Sequence, residues 1–96
     1  MTPEGKVKAL VKRALKEYGV YWHCPVQNGM GAPSLDFICC VNGHYVAIET
    51  KAPGGMYTAR QQVTRAAIGA AGGRVFLIDG VTSLEWVLRD LGLKCQ

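Results

Sequence analysis

The feature that most constrains the fold is an Asn42-Gly43 pair between two segments rich in β-branched and aromatic residues. Both central positions of a type I′ turn need positive φ, which Asn and Gly tolerate well, so the pair predicts a two-residue β-hairpin. In that hairpin Val41 pairs with His44, and Asp36 comes to lie opposite Glu49. The turn therefore predicts an antiparallel sheet that places two carboxylates side by side on neighbouring strands.

The alternation of side chains along this hairpin separates an apolar face from a charged face. The apolar face, which must be buried, carries Leu35, Phe37, Cys39, Val41, Val46 and Ile48. Lys51 lies two residues after Glu49 and diagonal to Asp36, so the charged face holds two acids and an ammonium. Like charges directly opposite each other are destabilising unless a cation offsets them. This face is thus either a functional site for a divalent cation or a solvated surface on which Lys51 neutralises Asp36.

The composition indicates one small domain over residues 1–96 with an anionic partner. A net charge of +4 and a pI of about 9.0 favour nucleic acid. No segment approaches the roughly 18 consecutive apolar residues of a membrane span, and the N-terminus lacks a signal-peptide core, so we expect a cytoplasmic protein. The four cysteines lack Cys-x-x-Cys spacing, which argues against zinc and a disulfide framework. We expect buried, reduced thiols, with Cys39 and Cys40 on opposite faces of their strand.

Capping signals and hydrophobic periodicity predict three helices. The first opens at Thr2-Pro3-Glu4 and should end near Tyr18. Its apolar stripe consists of Val7, Leu10, Val11, Ala14, Leu15 and Tyr18. Thr58-x-x-Gln61 is a capping box that opens the second helix, and Thr82-x-x-Glu85 has the same spacing at the start of the third.

Two further strands are predicted, over 20–26 and 74–78, with a Gly-rich loop over 27–33 between the first of these and the hairpin. The resulting order is αβββαβα. It favours a three-layer α/β fold in which helices flank a mixed sheet and a crossover reaches the last strand.

Charged residues on the helices suggest further roles. Glu4 extends the apolar stripe of the first helix, where it either approaches the hairpin acids or simply favours the helix N-terminus. Lys8, Lys12 and Lys16 follow at successive i+4 steps on the polar side. Such a row contacts a phosphate backbone or is merely solvated. Arg60 and Arg65 on the second helix complete the predicted nucleic-acid-binding set.

Together these residues resemble the VRR-NUC nucleases of the PD-(D/E)XK superfamily. The resemblance rests on Glu4, Gly31-Ala32-Pro33-Ser34-Leu35-Asp36, Ile48-Glu49-Thr50-Lys51 and Thr58-x-x-Gln61, and it continues through 71–75. The Pro-Asp pair that is usual in the family is stretched here to Pro33-Ser34-Leu35-Asp36. The resemblance implies a restriction-endonuclease-like core.

The resemblance also implies roles for individual residues. The implied catalytic set is Glu4, Asp36, Glu49, Lys51 and Gln61. Mg²⁺, for which Mn²⁺ can substitute, would be held by the carboxylates of Asp36 and Glu49 and the backbone carbonyl of Thr50. Glu4 would act on the same ion through water or hold a second ion. Gln62 is the adjacent alternative to Gln61, and the capping-box spacing favours Gln61.

The implied activity is metal-dependent hydrolysis of phosphodiester bonds by a structure-selective DNA endonuclease. A four-way (Holliday) junction is the leading substrate, because small stand-alone proteins of this type resemble junction resolvases that act as homodimers in bacteria or phage-infected cells. Flap cleavage and nonspecific nicking are alternatives within the same chemistry. Two alternatives from other classes are a noncatalytic nucleic-acid-binding module of the same fold and a structural or adaptor domain whose charged face is only solvated.

Overall fold

The computed structural model describes residues 1–26, 31 and 33–95. In chain order the elements are α1 (Pro3–Glu17), β1 (Tyr21–His23), β2 (Phe37–Val41), β3 (His44–Thr50), α2 (Ala59–Ala70), β4 (Arg74–Ile78) and α3 (Val81–Asp90). The four strands form one sheet in the order β1-β2-β3-β4. The predicted αβββαβα order and mixed sheet are confirmed.

The hairpin between β2 and β3 has the predicted turn and register. Asn42 and Gly43 have φ values of 50° and 81°, and Val41 pairs with His44. The ladder ends at the pair of Phe37 with Ile48, one pair earlier than predicted. Asp36 lies in a bend directly before β2, so it is not a ladder partner of Glu49.

The two outer strands differ in direction. β1 pairs antiparallel with β2, whereas β4 pairs parallel with β3, which confirms the crossover. β1 is shorter than the predicted 20–26, and the predicted Gly-rich loop lies largely outside the described residues. β4 was predicted to be buried, but only Ile78 is fully buried, because β4 has a partner strand on one side only.

Helices cover both faces of the sheet. The main core contains residues from α1, α3 and the predicted apolar face of the hairpin, among them Val11, Phe37 and Leu88. On the other face α2 contributes Ile68, which packs against Leu35, Ile38 and Ala47. The prediction that Leu35 shares a face with Phe37 is therefore wrong. The bend at Asp36 interrupts the strand alternation and directs Leu35 to the α2 side.

The helix caps agree with prediction at two of the three helix starts. The Thr2 hydroxyl accepts a hydrogen bond from the Gly5 N–H at 3.0 Å, and both hydrogen bonds of the α2 capping box are formed. The predicted capping box of α3 is wrong. Gly80 is its N-cap, without a side-chain cap. The helix begins at Val81, so Thr82 lies within its first turn rather than at the cap.

The exposure of the four cysteines tests the expectation that their thiols are buried. Cys39 is buried and Cys40 exposed, which confirms their opposite orientation, and burial raises the pKa of the Cys39 thiol to about 11. Cys24 and Cys95 are also exposed, so the expectation that the thiols are buried is wrong for three of the four. Over the described residues, none of the helices has the length and hydropathy needed to cross a bilayer.

Candidate active site

The two hairpin acids meet where β2 begins and β3 ends. The backbone N–H of Asp36 donates a hydrogen bond to Glu49 Oε1 at 3.3 Å. Asp36 Oδ2 accepts two hydrogen bonds from Thr50, one from the N–H at 3.0 Å and one from the hydroxyl at 2.6 Å. These contacts hold both carboxylates beside the end of β3, even though Asp36 lies outside the ladder.

Glu49 carries its charge in an unfavourable environment. Only 4% of the residue is exposed, because α2 covers this face of the sheet, which was predicted to be open to ligand or solvent. Burial raises the pKa of the Glu49 carboxyl from 4.5 to about 7, and the charge of Asp36 adds to the rise. The positive charge of Lys51 offsets only part of it. The acid pair therefore favours additional positive charge at this position.

Lys51 is held against the acids by the loop that follows β3. Its Nζ lies 3.8 Å from Glu49 Oε2, and its side chain is 16% exposed. A Cβ on Gly55 would come within 2.7 Å of Lys51 Cβ, so only glycine lets the loop pack this closely. The ion pair that the structure forms is thus between Lys51 and Glu49, not the predicted alternative between Lys51 and Asp36.

Gln61 connects the start of α2 to the acids. Its Oε1 accepts a hydrogen bond from the Thr58 N–H at 3.0 Å, as a capping box requires, while its Nε2 donates one to Glu49 Oε2 at 2.8 Å. Gln62 is exposed, and its Oε1 accepts a hydrogen bond from Arg65 at 3.4 Å. Of the two predicted alternatives, Gln61 is the one that contacts the site.

Glu4 lies near the acids but not among them. Its side chain is 45% exposed, and its Oε2 is 3.9 Å from Lys8 Nζ. The same ammonium is 3.9 Å from Asp36 Oδ1, so Lys8 stands between the two carboxylates. Among the residues that the structure places, no three His, Cys, Asp or Glu side chains gather as a metal-binding group. The Lys8 ammonium thus separates Glu4 from the pair formed by Asp36 and Glu49.

Sequence reasoning missed the position of Lys8, which it predicted only as a phosphate contact. Its i+4 spacing from Glu4 was the available signal, because residues four apart share one side of a helix. Lys8 also lines a cavity of about 240 Å³ beside Asp36, together with Lys12. The other predicted contacts, Lys16 and Arg60, are exposed.

Tyr57 is a second residue that the sequence did not single out. It is half-buried directly before the α2 cap, and the Arg65 guanidinium lies 5.5 Å from its ring centroid. Burial raises the pKa of the Tyr57 hydroxyl, and the negative charge of Glu49 contributes to the rise. Arg65 is thus engaged with Tyr57 at the margin of the site. The only sequence signal was an aromatic residue next to a helix cap.

The predicted backbone ligand at Thr50 has a suitable orientation. In a β-strand the N–H and C=O of one residue point to the same side, and the Thr50 N–H points to Asp36. Its carbonyl therefore faces the side of β3 on which Asp36 lies. The site thus presents carboxylate and carbonyl oxygens next to an ammonium.

Comparison with known proteins identifies the fold through a structural match. No protein-family model matches the chain, and no curated protein matches it in sequence. A solved structure described as a VRR_NUC domain matches with a TM-score of 0.81 and 16% sequence identity. The match covers 93% of this chain and 97% of that chain. The chain therefore has the VRR-NUC fold, a restriction-endonuclease-like α/β architecture, as predicted from the sequence.

Proposed function

We propose that this chain, on its VRR-NUC fold, is a divalent-metal-dependent DNA endonuclease that hydrolyses phosphodiester bonds in branched DNA. The observation that carries the proposal is the convergence of Asp36 and Glu49, with the Lys51 ammonium 3.8 Å from Glu49. A purely solvated charged face does not explain why an acid that is 4% exposed remains beside a second acid.

The donor set fits a hard divalent cation. Mg²⁺ prefers oxygen ligands and is commonly held by one or two carboxylates, with water and substrate phosphate completing its shell. Asp36, Glu49 and the Thr50 carbonyl would supply the protein oxygens, and Mn²⁺ accepts the same set. Burial and the charge of Asp36 raise the pKa of Glu49, and Lys51 offsets only part of that rise, so a cation beside the acids would favour the ionised carboxylate. When bound, the cation would polarise the phosphate and lower the pKa of a water molecule.

Lys51 and Gln61 would orient the groups around the acids. The Lys51 ammonium is a compact charge that can hold an attacking water and stabilise negative charge developing on the phosphate oxygens. Gln61 fixes Glu49 through its 2.8 Å hydrogen bond, and its own side chain is fixed by the Thr58 N–H. The Gln61 side chain therefore links the N-cap of α2 to the Glu49 carboxylate and helps to position both.

Branched DNA is the proposed substrate class, with a four-way junction first and flaps or nonspecific nicks behind it. The net charge of +4 and the cations Lys8, Lys12, Lys16, Arg60 and Arg65 support a phosphate-binding surface. Contacts of this kind read the position of phosphates and the shape of DNA rather than base sequence. A homodimer would place two such sites on opposed strands of a junction.

The experiment that tests the proposal is a cleavage assay with Mg²⁺, Mn²⁺ or EDTA. Labelled four-way junctions, flaps and linear duplexes are compared for the wild type, Asp36→Asn, Lys51→Ala and the exposed-glutamine control Gln62→Ala. We expect Mg²⁺-dependent cleavage by the wild type and Gln62→Ala, a loss of at least about 100-fold in the other two variants, and none in EDTA.

Two outcomes refute the proposal. Equal cleavage by wild type, Asp36→Asn and Lys51→Ala would show that the activity belongs to a contaminant. Binding of junction DNA in EDTA with the same affinity as in Mg²⁺, without cleavage under either condition, would identify a noncatalytic binding module. Sedimentation that shows only monomers, with and without a junction, would exclude the paired-cut mechanism but leave flap cleavage and nicking.

A further inference from the structure

We infer that Lys8 and Lys12 form a subsite that binds one backbone phosphate of the DNA strand, adjacent to the phosphate that is cut. The inference rests on the proposed nuclease function and deepens it, because it places the substrate strand on the α1 side of the acids. It also separates these two lysines from Lys16, which shares their i+4 row but not their cavity.

The subsite is a cavity of about 240 Å³ between α1, the end of β1 and the start of β2. Among the residues that the structure describes, its lining includes Lys8, Lys12, Cys24, Pro25, Asp36 and Phe37. Because Asp36 belongs both to this lining and to the acid pair, the cavity opens directly beside the position proposed for the scissile phosphate. Neighbouring phosphates of one strand would therefore reach the acid pair and the lysines together.

The two ammonium groups have hydrogen-bonding capacity to spare. Lys8 Nζ lies 3.9 Å from both Glu4 and Asp36, which is too far for a hydrogen bond. Within the ranges that the structure describes, the Lys12 ammonium makes no hydrogen bond or ion pair. Each ammonium carries three donors and no acceptor, and side chains four residues apart on a helix are neighbours. Two such groups around one cavity match the several acceptor oxygens of a phosphate.

The acid in the lining couples this subsite to the acid pair. The Asp36 carboxylate opposes an anion in the cavity until its own charge is neutralised, so a cation at the acids and a phosphate at the lysines should strengthen each other's binding. Such coupling is reciprocal. We therefore expect the contribution of the lysines to DNA affinity to be larger in Ca²⁺ than in EDTA.

A scan with single methylphosphonate linkages tests the subsite. Each linkage removes the charge of one phosphate in a junction strand, and affinity is measured in Ca²⁺ to avoid cleavage. We expect one linkage next to the cut position to weaken binding by the wild type roughly tenfold, the loss of one charged hydrogen-bonded contact. That same linkage should cost Lys12→Ala clearly less than it costs the wild type, because only Lys8 still holds the phosphate. Lys6→Ala, an exposed-lysine control on the same helix, should behave as the wild type.

Lys8→Ala and Lys12→Ala should also be non-additive. Because both side chains hold the same phosphate, the cost of the double variant should differ from the sum of the two single costs, and the slope of log affinity against log salt should fall by about 0.9 once the shared contact is lost. The Cys24 thiol gives an independent readout, since it lines the cavity and is exposed. Junction DNA in Ca²⁺ should slow its alkylation several-fold relative to that of Cys95, as followed by mass spectrometry.

The subsite is refuted if no linkage distinguishes Lys12→Ala from Lys6→Ala, if the two lysine variants are additive, or if DNA leaves Cys24 alkylation unchanged. These results are separate from failure of the proposed function. A wild-type protein that does not cut any DNA in Mg²⁺ refutes the nuclease assignment, whereas a protein that cuts but shows no linkage effect refutes only the subsite.

Discussion

Replacing Glu49 by Gln should stabilise the metal-free protein at alkaline pH while it removes cleavage. The reason is the buried position of the carboxyl, whose pKa is raised from 4.5 to about 7. A group whose pKa is higher in the folded than in the unfolded protein contributes stability that is complete below the unfolded value and is lost as pH rises through the folded value. For Glu49 this loss falls between about pH 4.5 and about pH 7.

The magnitude follows from the same values. The rise to about 7 corresponds to about 3 kcal/mol at about 1.36 kcal/mol per pH unit. Glutamine offers one acceptor oxygen, so it can keep the 2.8 Å bond from Gln61 but loses the longer 3.3 Å bond from the Asp36 N–H. That loss costs about 1 kcal/mol. We expect a net gain of about 2 kcal/mol above about pH 8, which corresponds to a rise in Tm of roughly 8 °C or more.

The assay is urea unfolding in EDTA at several values between about pH 5 and about pH 8.5. The difference in unfolding free energy between Glu49→Gln and wild type should be near zero or slightly negative at the acidic end and should grow as pH rises. Glu17→Gln provides the control, because Glu17 is exposed at the end of α1; its effect should stay within about 0.5 kcal/mol throughout. Added Mg²⁺ should stabilise the wild type at alkaline pH and have little effect on Glu49→Gln.

A Glu49→Gln effect that is constant across the pH range would refute this reasoning, since it would show that the carboxyl titrates alike in the folded and unfolded protein. A destabilised variant at alkaline pH would do the same, because the hydrogen bonds of Glu49 would then outweigh the cost of burying its charge.

Three further changes test the packing around the site. Gln61→Ala should lower the free energy of unfolding by about 1–2 kcal/mol in urea unfolding, because it loses the hydrogen bonds to Thr58 and Glu49. The control Gln62→Ala should stay within about 0.5 kcal/mol of the wild type, and equal effects of the two changes would contradict the assigned contacts. Thr50→Val removes the 2.6 Å hydrogen bond from the Thr50 hydroxyl to Asp36. It should lower the free energy of unfolding by about 1–2 kcal/mol in the same assay, and a neutral result would show that this bond contributes nothing. Gly73→Ala should destabilise the protein by about 1–3 kcal/mol in thermal unfolding, because the new Cβ would lie 2.6 Å from the Ile68 side chain on α2. The control Gly69→Ala, whose Cβ would have no atom within 4 Å, should be neutral or stabilising. The opposite order of stabilities would refute the contact.

The local signals in the sequence determined most of the fold. The Asn42-Gly43 turn fixes the hairpin register through the positive φ of both residues, and that register brings the end of β3 next to the start of β2. The Thr58 capping box fixes where α2 begins and hence where Gln61 projects. Local chemistry of this kind can be read from residues within a few positions of each other.

The features that the sequence did not predict depend on contacts between distant segments. The spacing within α1 places Lys8 beside Glu4, but Lys8 reaches Asp36 only because of the way α1 packs on the sheet. Glu49 is buried because α2 covers its face of the sheet, although strand alternation alone allows that face to be solvated. Leu35 changes sides because the chain bends at Asp36, which ends the alternation on which its placement depended.

The two tryptophans occupy contrasting environments, which makes the intrinsic fluorescence of the chain easy to interpret. Trp22 is partly buried against Phe37, with ring centroids 5.6 Å apart, whereas Trp86 on α3 is 69% exposed. Emission from Trp86 should resemble that of indole in water before and after denaturation. A red shift on denaturation therefore reports the separation of β1 from β2, the strand pair that borders the lysine-lined cavity.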